Sequence, residues 1–206
     1  MTLRRIALFG GSFDPIHRGH TGVAKAAAEQ LQAETVIFIP AKCSPLKRLF
    51  PHAGDEDRLN MVTLATREDK MFAVSDCELR RAAPSFTIDT VRLFQRDYGQ
   101  DVEIHWLLGA DSVKDLMHWH NIEALIDECH LTTMQRAGYP PPDFDRYEPL
   151  WGPRRIAKLK SDVVATPLID ASSTEVRRRL AAQEDPGEML HPDVARYIRE
   201  HRLYRQ

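Results

Sequence analysis

The run Ile6 to Phe9 (IALF) is apolar and stops at Gly10-Gly11, and beyond it Val23, Ala27 and Leu31 recur at every fourth position. A short apolar run closed by glycine reads as a buried strand, and fourfold spacing puts side chains on one face of a helix. The chain therefore opens with a strand, a turn over Gly10 to Pro15, and a helix spanning Arg18 to Gln32. Thr35 to Ile39 (TVIFI) is a second β-branched run, ended by Pro40. A strand that follows a helix at this distance predicts a crossover and parallel pairing. The alternation continues with a helix from Asp55 to Thr66 carrying Leu59, Val62, Leu64 and Ala65, and a short strand near Phe72 to Val74. Next come a helix from Thr87 to about Tyr98 and a strand from His105 to Leu108 stopped by Gly109. Val163 to Thr166 reads as a further strand, and Ser172 to Leu180 and Pro192 to His201 as closing helices, the last with Val194, Tyr197 and Ile198 on one side. The prediction is an α/β fold: a doubly wound, open parallel sheet in one domain, 1–206, with a helical part from about 170 packed on it. Ligands of such sheets bind outside the carboxyl ends of the strands, which places function in the β-to-α loops. Residues 137–153 (AGYPPPDFDRYEPLWGP) hold five of the 13 prolines and are expected to form an ordered excursion or a surface loop.

Composition narrows the function. A chain of 206 residues with 43% hydrophobic content can build one sizeable core. Its 28 basic and 30 acidic residues give a formal charge of -2, so there is no global field for a long polyanion. The basic residues are not interleaved with an aromatic surface, which argues against a nucleic-acid partner. Cys43, Cys77 and Cys129 are widely spaced and form no Cys-x-x-Cys pair, so neither a disulfide framework nor a zinc ribbon is expected and a cytoplasmic location is. The apolar run before Gly10 is too short for a signal core, and no stretch reaches the ~20 apolar residues of a membrane span. Oligomeric state is left open, a homo-oligomer included.

The first loop carries the strongest chemical signal. Gly10-Gly11-Ser12 can bring backbone N–H groups close to an anion without side-chain obstruction. His17 and His20 follow at helical spacing near a helix N-terminus, where phosphate is favoured, and two imidazoles there can donate to phosphate oxygens. Gly19 leaves room between them for a nucleotide. Taken alone, an ordinary turn with capping histidines, or a metal-binding pair, would account for the same residues. A second anion site is suggested at Ser172 to Leu180. Ser172 and Glu175 have capping-box spacing, Val176 and Leu180 supply a buried face, and Ser172, Ser173, Thr174 and Arg177 can meet phosphates. A well-capped surface helix is the bland alternative. No Gly-x-Gly-x-x-Gly follows a strand and no glycine precedes Lys-Ser/Thr, which disfavours a standard dehydrogenase and a P-loop kinase.

The string Gly10 to His20 (GGSFDPIHRGH) resembles the signature of the nucleotidyltransferase superfamily, with its His-x-Gly-His element. Ser172 to Arg177 resembles that superfamily's Ile-Ser-Ser-Thr-x-x-Arg, with Ala171 in place of the Ile. Between these ends the chain is similar to the bacterial nicotinate mononucleotide adenylyltransferases. The resemblance lies in Pro84 to Thr90 (PSFTIDT), Leu107 to Ser112 (LLGADS), Trp119, and Arg136-Ala137-Gly138-Tyr139. It implies a Rossmann-like nucleotidyltransferase fold and transfer of the adenylyl group of ATP to nicotinate mononucleotide, with Mg²⁺ bound mainly through the ATP phosphates and no dedicated metal ligands. His17 and His20 would be catalytic. Gly10, Gly11, Ser12, Phe13, His17, His20, Asp111, Ser172, Ser173, Thr174 and Arg177 would hold ATP, Asp111 through ribose hydroxyls. Lys47, Thr87, Trp119, His120 and Arg136 would hold the mononucleotide, Thr87 at the pyridine carboxylate and Trp119 stacked on the ring. The chain departs from the family at Ser44-Pro45-Leu46-Lys47, where Pro-Pro-His-Lys is frequent, and at His120, which replaces an aromatic. The alternatives are an acceptor such as phosphopantetheine or nicotinamide mononucleotide, or a non-catalytic nucleotide sensor. Thr87 and Trp119 argue against phosphopantetheine, and intact His17, His20 and Arg177 against the sensor.

Overall fold

A computed structural model describes residues 4–43, 51–99, 101–136 and 140–205. Among them, six strands form one all-parallel sheet: β1 (Arg4–Gly11), β2 (Thr35–Pro40), β3 (Phe72–Val74), β4 (Val102–Gly109), β5 (His130–Arg136) and β6 (Val163–Thr166). Their order is β3-β2-β1-β4-β5-β6. The chain builds outward from β1 to β3, then crosses back to lay β4 on the other side of β1. Loops leaving β1 and β4 therefore diverge, and a crevice opens between their carboxyl ends.

The helices are α1 (Arg18–Leu31), α2 (Asp55–Thr66), the short α3 (Cys77–Arg80), α4 (Thr87–Tyr98), α5 (Ile122–Glu128), α6 (Glu148–Ser161), α7 (Ser173–Ala181) and α8 (Pro192–Glu200). Alternation along the strands decides which helix covers which face. Ile6 and Leu8 of β1 join Ile104 and Trp106 of β4 on one face, under Ile88 and Val91 of α4, Leu125 of α5 and Ile156 of α6. Ala7 and Phe9 point the other way with Val36 and Phe38, under Ala24 and Ala27 of α1, Met61 of α2, and Val194 and Ile198 of α8. Both faces of the central strands are buried, so these strands read as continuous apolar runs.

Two local expectations are corrected. Of the two readings of 137–153, the surface loop is the one that fails where the segment is described: Phe144, Tyr147 and Trp151 are buried in the core, and α6 already starts at Glu148. Pro149 sits in the first turn, where the N–H it lacks would have no helical partner, and Gly152 at φ 76° bends the helix before Pro153. Gly10 and Gly11 are not the turn either. They extend β1, paired with Ile39 and Pro40, and the turn begins at Ser12. A Cβ on Gly10 would come within 2.4 Å of the Trp106 ring, so glycine is set here by strand packing.

Candidate active site

The crevice between β1 and β4 is a cavity of about 590 Å³. Its floor is the carboxyl end of the sheet, and its rim brings together segments far apart in sequence.

At one end stands the start of α1. His17 is its N-cap, with extended backbone, and His20 lies in its first turn, so only His20 is helical in the predicted pair. The His17 N–H donates to His20 Nδ1 (3.2 Å), and the His20 N–H donates to the His17 carbonyl (2.9 Å). The two rings stack at 3.7 Å and 26°. Because Nδ1 of His20 accepts a backbone hydrogen, the ring's own hydrogen sits on Nε2, which makes Nε2 a donor. Phe13 packs edge-on against His20 at 5.1 Å. The backbone of Phe13 is left-handed (φ 46°), a conformation costly for a bulky residue, and it persists because the ring is 2% exposed among Phe9, Phe38 and His20. Gly19 does not act as an open gap. A Cβ there would lie 2.8 Å from the His17 ring and 3.4 Å from the Ala171 carbonyl, so glycine lets the imidazole and the start of α7 close together.

The loop Ser12 to Pro15 is held from four directions. Arg58, fully buried on α2, donates to the Ser12 carbonyl (2.7 Å) and to Asp55 (2.7 Å). The buried Asp14 carboxylate accepts from the amides of His52 (2.7 Å) and Ala53 (3.0 Å) and from the Tyr204 hydroxyl (2.8 Å). Burial alone would raise its pKa; these donors outweigh that and hold it below its ordinary value, while the Tyr204 hydroxyl is pushed upward by burial and by Asp14. Ser173 donates to the Pro15 carbonyl (2.9 Å) and Arg177 to the Asp14 carbonyl (2.6 Å). Two groups predicted to meet phosphates are thus also latches between α7 and this loop. Ser172 caps α7 as expected, accepting from the Glu175 N–H (3.1 Å), but Glu175 completes no reciprocal box because its carboxylate pairs with Arg178 and Arg179.

The other end is the start of α4. Thr87 is its first residue, where the amides have no helical acceptor. Phe86 stacks on His120 (4.3 Å, 28°), and Trp119 lines the same wall. Glu78 closes the back of this end; it is 3% exposed, burial raises its pKa, and the Thr90 hydroxyl donates to it at 2.6 Å.

Of the residues singled out in sequence, Gly10, Gly11, Ser12, Phe13, His17 and His20 line the cavity, as do Thr87, Asp111, Trp119, His120, Ser172 and Ser173. Thr174 and Arg177 lie behind them on α7, and Arg136 ends β5. Lys47 and the rest of the Ser44 to Lys47 loop fall outside the described residues. Sequence reasoning missed Arg58, Asp14, Glu78 and Trp106. The Ser12 to Pro15 string carried Asp14 in view, but its partners are 38 to 190 residues away and leave no local spacing.

An anion-ready cavity at the switch point of a parallel sheet marks a nucleotide-handling α/β protein of the nucleotidyltransferase class. Residues 8–179 match the family model described as cytidylyltransferase-like. A protein of Neisseria meningitidis serogroup C, named "probable nicotinate-nucleotide adenylyltransferase", is 38% identical over 202 residues, covering 98% of this chain and 99% of its own. A protein of the same name from Chromobacterium violaceum is 36% identical over 214 residues, with the same coverage. The fold is shared with Plasmodium falciparum nicotinic acid mononucleotide adenylyltransferase complexed with NaAD, at a TM-score of 0.74 and 21% identity over 98% of this chain and 97% of that one. The chain belongs to the nicotinate-nucleotide adenylyltransferases of the cytidylyltransferase-like family. Among the described residues, no helix is long and apolar enough to cross a membrane.

Proposed function

We propose that this chain transfers the adenylyl group of ATP to nicotinate mononucleotide, releasing pyrophosphate and forming nicotinate adenine dinucleotide for NAD biosynthesis. The observation that carries this reading is one cavity with two helix N-termini: α1 with its paired imidazoles at one end, α4 with Thr87 beside an aromatic wall at the other. A triphosphate and an acidic pyridine ring can each meet positive dipole ends there, with the two phosphates facing one another between them.

The attacking phosphate is ionised at neutral pH and needs no protein base. The work left to the protein is alignment and stabilisation of charge on the five-coordinate phosphorus and the departing pyrophosphate. His20 Nε2–H is the transition-state donor, and stacking on His17 fixes its direction. Ser172, Ser173, Thr174 and Arg177 receive the leaving phosphates, Gly10 to Phe13 bed the nucleotide, and Asp111 accepts from ribose hydroxyls. Trp119 stacks on the pyridine ring; Thr87 and the first amides of α4 hold its carboxylate, with His120 backed by Phe86. Lys47 and Arg136 supply charge for the mononucleotide phosphate. Mg²⁺ would fit this site as a companion of ATP, held mainly through its phosphates, because the starts of α1 and α7 present donors to those phosphates while Glu78, Asp111 and Asp115 are carboxylates that line the cavity. Bound to phosphate oxygens and water, it supplies neutralisation of charge.

Donors without a matching acceptor favour a carboxylate over an amide. Pyrophosphate release with nicotinate mononucleotide is therefore expected to exceed that with nicotinamide mononucleotide by at least ~10-fold in kcat/KM. Equal values would remove the acceptor assignment, and no release with either would remove adenylyl transfer.

A further inference from the structure

At the amino ends of β4 and β5, on the edge of the sheet away from the nucleotide cavity, Glu103, His105 and His130 converge. One ligating atom from each lies within 4.8 Å of the others. His105 is 4% exposed, and its Nε2 is 2.8 Å from Glu103 Oε1. Its Nδ1 is 2.9 Å from the buried Thr132 hydroxyl, a group able to donate or accept. The His130 ring lies over that of His105 at 4.7 Å and 23°. Its Nδ1 is 2.9 Å from Asp162 Oδ1, and its Nε2 is 3.9 Å from Glu103 Oε1.

A carboxylate only accepts, so Asp162 places the hydrogen of a neutral His130 on Nδ1 and leaves a lone pair on Nε2. That lone pair faces a carboxylate oxygen across 3.9 Å, two acceptors with a gap between them. A cation resolves the conflict. Ligation through Nε2, with Nδ1–H held by a carboxylate or hydroxyl, is how histidine is oriented toward zinc, and both imidazoles have such a partner. The second oxygen of Asp162 is buried and has no hydrogen-bond partner among the described residues. Arg5 also reaches Glu103 Oε1 (3.2 Å), but a carboxylate has lone pairs enough for a guanidinium and a cation together.

We infer that Glu103, His105 and His130 form a binding site for a divalent cation of the zinc type, with Thr132 and Asp162 orienting the imidazoles. Ligand atoms around tetrahedral zinc stand about 3.3 Å apart, so the contact at 2.8 Å must open and that at 3.9 Å must close, each by about half an ångström. Glu103 and His130 are partly exposed, which leaves a fourth position to water. The bound ion would staple β4 to β5 and, through Asp162, to the end of α6; it takes no part in adenylyl transfer.

The test titrates the tag-free protein with Co²⁺ and follows tetrahedral d–d absorption. One equivalent is expected to bind, with affinity reduced at least ~10-fold in Glu103→Gln and His130→Gln, ~10- to 100-fold in Asp162→Asn, and unchanged in His20→Ala. Absence of the bands in the wild type, indifference to all three first-named substitutions, or loss in His20→Ala would overturn the site. A second reading needs no variant. Zn²⁺ should protect His130 from diethyl pyrocarbonate, scored by peptide mass, and unprotected modification at saturating Zn²⁺ would equally overturn it.

Discussion

One backbone hydrogen bond decides what His20 can do. With Nδ1 occupied by the His17 amide, Nε2 must carry the hydrogen, and the side chain is a fixed donor before substrate arrives. His20→Ala is expected to lower kcat by roughly 10²- to 10³-fold with far-ultraviolet circular dichroism unchanged. Nearly unchanged turnover would end its role as transition-state donor. At this scale the sequence was informative where chemistry is carried by neighbours: Gly10 to His20 and Thr87 to Trp119 were legible because their spacing is short or their context is a strand end. Arg58 was not, since nothing local announces that a helix arginine will be buried to hold a carbonyl 46 positions earlier.

Three elements were read nearly to the residue: α2, β3 and α4 span the ranges expected from the sequence, α2 following Gly54 and α4 closing at Gly99. The failure at α6 has a physical source. Proline is a breaker inside a helix but neutral in its first turn, and five prolines counted together hid that two of them belong to an element whose Trp151 is in the core. Helix α7 joins a structural role to phosphate binding in the same side chains. Ser172→Ala removes the cap and should cost about 1 kcal/mol, read by urea denaturation. Arg177→Met removes the bond to the Asp14 carbonyl as well as a phosphate donor, so it should lower kcat more than it raises the KM for ATP. A change in KM alone would mean that Arg177 contributes uniform binding.

Across the whole molecule, Asp14 is the point on which distant parts meet. Its folded pKa lies below its ordinary 3.8, so the stabilisation is fully present above that value and is lost as pH falls through the folded one. Asp14→Asn should therefore be less stable at neutral pH and should flatten the acid limb of the stability curve below about pH 4. Urea midpoints across that range decide it; an unchanged limb would locate acid sensitivity elsewhere. The parallel sheet could be read from alternation along the chain, whereas the strand order that puts the crevice between β1 and β4 could not. Convergence on Asp14 could not, because it exists only after β1, α2, α7 and the tail around Tyr204 have been folded onto one another.

The loop Ser12 to Pro15, which leads into His17 and the first turn of α1, is synthesised well before two of its braces, Arg177 and Tyr204, 163 and 190 positions downstream of Asp14. Synthesis thus imposes a schedule on function. A nascent chain can pair β1 with β2 and shape α1 before α7 and α8 emerge, and throughout that interval the loop that leads into His17 is unbraced by them. Competence to transfer an adenylyl group should arrive late and all at once, when the tail docks, so that a chain cut just short of Tyr204 keeps its sheet but loses its rate.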